Sequence, residues 1–159
     1  MNRAILLALA LLGPAVSDAA TVCRIVSGGS LAFGPYDVLS AAPADTQVDV
    51  TVTCDRDGGP RNVTLTMQVD QGTNGSSVNA RRLGHIGGTR STLDYGLYSN
   101  PARSAVLGMS VGINTMSATL SIDNKSSAST RLTIFGRIPA GQDVPAGNYT
   151  DTVQVTVTY

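Results

Sequence analysis

Val48-Asp49-Val50-Thr51-Val52-Thr53-Cys54 alternates apolar and polar residues at every step. Successive side chains of a β-strand point to opposite faces. This spacing therefore gathers the valines and the cysteine on one face and Asp49, Thr51 and Thr53 on the other. The same period returns along the chain in Val63, Leu65, Met67 and Val69, in Leu93, Tyr95 and Leu97, and in Ala118, Leu120 and Ile122. Leu132, Ile134 and Ile138 share a parity, and Val153, Val155, Val157 and Tyr159 form a last alternating set. Residues 23–33 read as a further strand, broken at Gly28-Gly29. Turn chemistry separates these runs at Asp57-Gly58-Gly59-Pro60, Gly72-Thr73-Asn74-Gly75, Gly87-Gly88 and Pro145-Ala146-Gly147-Asn148. No window sustains a helical period. Short strands with one apolar face each, in a single domain, predict an all-β sandwich.

Composition agrees with that class. The 159 residues contain no Glu, and Lys125 is the only Lys. Long charged side chains that favour helices are thus mostly missing, while Thr, Ser, Val, Gly and Asp are abundant. Eleven basic residues balance eleven acidic ones. Nothing in that balance suggests affinity for nucleic acid or an anionic membrane.

The N-terminus sets the expected compartment. Asn2 and Arg3 precede an apolar run over residues 4–12, then Gly13-Pro14 and the small residues of Ser17-Asp18-Ala19. The pattern predicts a secretory signal peptide over residues 1–19 and a mature domain over 20–159. The run is far shorter than the roughly 20 residues a membrane-spanning helix needs, so no direct membrane insertion is expected. Export leaves Cys23 and Cys54 in an oxidising compartment, where one even pair most simply closes a disulfide. Free thiols or a metal pair are the alternatives. A lone distant His85 completes no metal site.

Candidates for chemistry are few. His85 is the only histidine, and Gly84-His85-Ile86-Gly87-Gly88 reads as a solvated turn rather than part of a catalytic triad. Asp55-Arg56-Asp57-Gly58 superficially resembles the start of a calcium loop, but lacks the closing Glu and carries opposing arginines nearby. Arg81, Arg82, Arg90 and Arg103 read as a scattered solvated set balanced by Asp. The expectation is a protein with no catalytic residues, no cofactor and no metal.

Several blocks occur in an order that resembles the spore coat protein U domain family. They are Leu31-Ala-Phe-Gly-Pro-Tyr-Asp-Val-Leu39, the Val48 to Cys54 run, Arg82-Leu83 and Leu93-Asp-Tyr-Gly-Leu-Tyr98. Phe135-Gly-Arg-Ile-Pro-Ala-Gly-Gln142 and Ala146-Gly-Asn-Tyr-Thr-Asp-Thr-Val-Gln-Val-Thr-Val-Thr-Tyr159 follow. That family includes subunits of archaic chaperone–usher pili. The resemblance implies an incomplete immunoglobulin-like β-sandwich whose missing strand leaves an apolar groove. It also implies partners: a periplasmic pilus chaperone, an outer-membrane usher and neighbouring pilus subunits, with β-strand addition as the mechanism.

On that reading Val153, Val155, Val157 and Tyr159 form the edge strand that pairs with the chaperone or donor. Two positions depart from the family pattern. Leu107-Gly108 stands where the family has Trp-Gly, and only Ala20-Thr21-Val22 would precede Cys23 after cleavage. The expectation is a structural or adhesive, terminal or tip-type subunit of a surface fibre, which accepts a strand and donates none. Its route is the periplasm, then the cell surface. A secreted spore-coat or extracellular-matrix protein is one alternative. A carbohydrate-binding module using Tyr36, Tyr95 or Tyr98 is another.

Overall fold

The computed structural model describes residues 20–88 and 90–159. The expected signal peptide lies outside them. Among the described residues the strands are β1 (Ala20–Gly28), β2 (Ala44–Asp57), β3 (Asn62–Val69), β4 (Arg81–Ile86) and β5 (Thr92–Tyr98). They continue as β6 (Met116–Ser121), β7 (Ser126–Ile138), β8 (Asn148–Thr150) and β9 (Val155–Thr158). One sheet has the order β1-β2-β7-β5-β4-β8 and the other β6-β3-β9. Every strand pairing is antiparallel. This is the all-β, two-sheet sandwich that the alternation predicts, and it is consistent with an immunoglobulin-like arrangement.

The alternating residues fill the space between the sheets. Val50, Val52 and Cys54 of β2, Leu65, Met67 and Val69 of β3, and Leu132, Ile134 and Ile138 of β7 are all buried. Burying such a side chain contributes roughly 1.5–3 kcal/mol. A one-residue slip of any of these strands would turn its whole apolar set to water, which fixes the register. Cys23 sits directly opposite Cys54 in the β1–β2 ladder, and the two form a disulfide with their Cα atoms 4.0 Å apart. Ala20, Thr21 and Val22 are paired with Asp57, Arg56 and Asp55 within that ladder, so they belong to the domain's own sheet.

Four expectations need correction. His85 is not in a solvated turn: it lies on β4, opposite Tyr149 of β8, with the rings edge to face at 5.1 Å. Its Nδ1 is buried without a hydrogen-bond partner among the described residues. The glycines on either side disguise a short strand that is stabilised by pairing on both edges. The arginines are not uniformly solvated. Arg103 pairs with Asp45 at 3.3 Å and lies over the Phe135 ring, while Arg81 is fully buried. The last strand begins at Val155, so Val153 precedes it and Tyr159 follows it. The cause is the crossing from one sheet to the other over residues 151–154, where the Gln154 amide donates to the Asp70 side chain at 2.9 Å instead of joining a ladder. Finally, no strand continues past Gly28 through residues 29–33.

Arg81 holds one end of the sandwich. Its Nε donates to the Asp70 carbonyl (2.9 Å) and its Nη1 to that of Val78 (2.9 Å). Nη2 reaches the carbonyls of Val69 (3.0 Å), Asp70 (2.6 Å) and Leu107 (2.8 Å). Burial draws the guanidinium below its ordinary value, and the nearby Tyr95, Asp70 and Asp151 oppose that shift.

Candidate functional site

Among the described residues β9 is an edge strand, paired only with β3. The Asp70 amide donates to the Gln154 carbonyl at 3.1 Å, just before the strand starts. Antiparallel ladders alternate between residues that bond to the partner and residues that do not. With Asp70 and Gln154 as a bonded pair, Thr156 and Thr158 turn their backbone groups to β3. The N–H and C=O of Val155 and Val157 then point to the open side. The side chains of these two valines are half-buried against the core. An edge of this kind is a template for another strand.

A cleft of about 1160 Å³ lies on that open side. Val153 and Val155 line it, whereas no residue of β3 does. Its floor is the inner face of the larger sheet, with Val48 and Val50 of β2, Ile134 and Ile138 of β7, and Leu93, Tyr95 and Leu97 of β5. The volume exceeds the roughly 300–1,000 Å³ of a small-molecule pocket. The floor offers apolar side chains and little that would orient a small polar ligand. Such a space suits a row of apolar side chains on an incoming backbone.

One polar knot fixes the chain where it enters β9. Oδ1 of Asp151 accepts hydrogen bonds from the Thr73 amide (3.0 Å), the Thr73 hydroxyl (2.7 Å), the Asn74 amide (3.1 Å) and Asn74 Nδ2 (3.0 Å). Its Oδ2 accepts from the Tyr95 hydroxyl at 2.7 Å. Burial alone would raise the Asp151 carboxyl. The bonds from Tyr95, Thr73, Asn74 and the Thr152 backbone outweigh it, so the net shift is downward. Burial, then the bond to Asp151, pushes the Tyr95 phenol far upward, keeping it a donor.

A carboxyl lowered in the folded state adds stability above its unfolded value and loses it as pH falls through the folded one. Acid unfolding below about pH 4 is therefore expected to become shallower in Asp151→Asn, while stability at pH 7 drops by about 1–3 kcal/mol. Urea titrations of both proteins across pH 2.5–7 check this. Parallel pH profiles would contradict it.

The other named positions fall as follows. Tyr95 is core and its hydroxyl is occupied. The Tyr36 hydroxyl donates to the Pro139 carbonyl (2.9 Å) and accepts from the Gln142 amide (2.9 Å). Tyr98 is half-buried across Gly96 of its own strand. These three rings form no shared exposed platform. Residues 29–36 line the cleft, a role that reading residues 23–33 as a strand did not anticipate. Leu31 and Phe33 supplied the alternation but make no ladder.

Comparison with curated protein sequences yields no match. Among solved structures, a similar chain comes from work on a chaperone–tip adhesin complex vital for synergistic activation of CFA/I fimbriae biogenesis. It is 11% identical, with a TM-score of 0.46, over 87% of this chain and 42% of that one. The present chain thus spans less than half the length of that relative. A model of the spore coat protein U domain matches residues 12–156. The match covers almost the whole sequence, in agreement with the blocks from Leu31 to Tyr159, and the chain belongs to the spore coat protein U domain family.

Proposed function

We propose that this protein is a structural or adhesive subunit of a surface fibre assembled by a chaperone–usher route, and that its chemistry is association rather than catalysis. The observation that carries the reading is the unpaired edge of β9 beside an apolar cleft. Main-chain groups of Val155 and Val157 supply the hydrogen bonds for an added strand, and the cleft takes its alternate side chains. A chaperone strand fills the site in the periplasm, and a neighbouring subunit's strand fills it in the fibre. Export through the signal peptide over residues 1–19 belongs to the same proposal. A tip position remains part of the proposal; Ala20, Thr21 and Val22 themselves pair with β2 inside the domain.

The test is expression of the mature chain with and without a pilus-type periplasmic chaperone. The expected result is an equimolar soluble complex with the chaperone and progressive self-association without it. A chain that stays monomeric at high concentration and ignores the chaperone would overturn the reading.

A further inference from the structure

We infer that residues 29–36 form a displaceable strap over the cleft, and that Leu31 and Phe33 compete with an incoming strand for the same apolar floor. This rests on the strand-addition reading and adds its regulation. Among the described residues, no backbone–backbone hydrogen bond ties residues 29–36 to either sheet. The middle of the segment is instead held by two side chains two positions apart. Leu31 and Phe33 are half-buried and pack on the core, and the Phe33 ring meets Tyr95 edge to face at 6.0 Å. Both rest on Gly136 of β7, where a Cβ would collide with Leu31 and press on Phe33. Gly136 thus leaves a notch in the floor, and the strap's own side chains occupy it.

The ends of the segment are built differently from its middle. β1 stops at Gly28, next to Gly29. Gly34 has a φ of 74°, a left-handed conformation that glycine adopts freely. Beyond it, Tyr36 is anchored to Pro139 and Gln142. The middle can therefore swing between glycines while both ends stay fixed. Its backbone polar groups lack ladder partners, and this lowers the cost of moving it. While seated, it keeps part of the cleft floor from water in the uncomplexed protein. A strand entering beside β9 must lift it or slide it, so the strap sets the rate of complementation.

The experiment uses the dilute mature chain and a defined probe, a synthetic peptide of alternating valine and threonine with a lysine at each end. Hydrogen exchange at Val155 and Val157 reports strand addition, and stopped-flow mixing reports its rate. In the wild type the observed rate is expected to rise with peptide concentration and then level off, because strap opening becomes limiting. In Leu31→Ala/Phe33→Ala it is expected to be roughly tenfold faster. Protection of Val52 and Leu132 checks that the variant is folded. If it is not, the wild-type concentration dependence decides alone. A wild-type rate that climbs linearly without levelling, with β9 protected, would overturn the strap and leave strand addition standing. No protection of β9 by the peptide in either protein would overturn both.

Discussion

Replacing Arg81 by methionine is expected to cost about 3–5 kcal/mol of folding free energy. Methionine fills much of the volume but offers no donors. The carbonyls of Val69, Asp70, Val78 and Leu107 would lose the guanidinium together. Each buried carbonyl left unpaired costs about 1–3 kcal/mol, partly offset where water can enter. Arg81→Lys is expected to recover less than half of the loss. An ammonium is a point donor on a flexible stem and cannot span carbonyls that a planar fork reaches in several directions. Urea unfolding with an unchanged slope is the measurement. A loss below about 1 kcal/mol for the methionine variant would show that the network is incidental. The effect reaches the functional edge as well, because Val69 pairs with Val155 at the start of β9.

Removing the disulfide as Cys23→Ala/Cys54→Ala is expected to cost about 3–4 kcal/mol on the chain-entropy model, from a crosslink joining residues 31 apart in sequence. The loss should have a local signature. Among the described residues β1 is an edge strand held by β2 alone, and the crosslink sits in the middle of their ladder. Amides of β1 should then exchange much faster than those of β2 and β7, whose pairing is independent of Cys23. Uniform acceleration across the whole sandwich, or none, would contradict that assignment.

The alternation of β2, β3 and β5 was legible because each strand buries one face, which forces period-2 patterning on the residues. The cysteine pair was legible for a similar reason: an expected oxidising compartment and an even count leave few options. Arg81 was not legible. Its partners are carbonyls at Val69, Asp70, Val78 and Leu107, and no residue type signals that a carbonyl is in need of a donor. β4 and β8 escaped because Gly84 and His85 look like turn residues and Asn148-Tyr149-Thr150 is too short to show a period. The parity of Val153, Val155 and Val157, all packed against the core, was legible, whereas Tyr159 is exposed beyond the strand. The reading of residues 153–159 placed the start of the strand too early, because hydrogen bonding by Asp70 and Asp151 decides where the chain crosses between sheets.

The unpaired edge of β9 is tested most directly by residue-resolved hydrogen exchange at Val155, Thr156, Val157 and Thr158, in the freshly prepared dilute chain and in its chaperone complex. Protected Thr156 and Thr158 amides are expected beside fast-exchanging Val155 and Val157 amides in the free chain, with all four protected in the complex. Four slow amides in the free monomer would mean that the edge is already covered, and would contradict strand addition at this site.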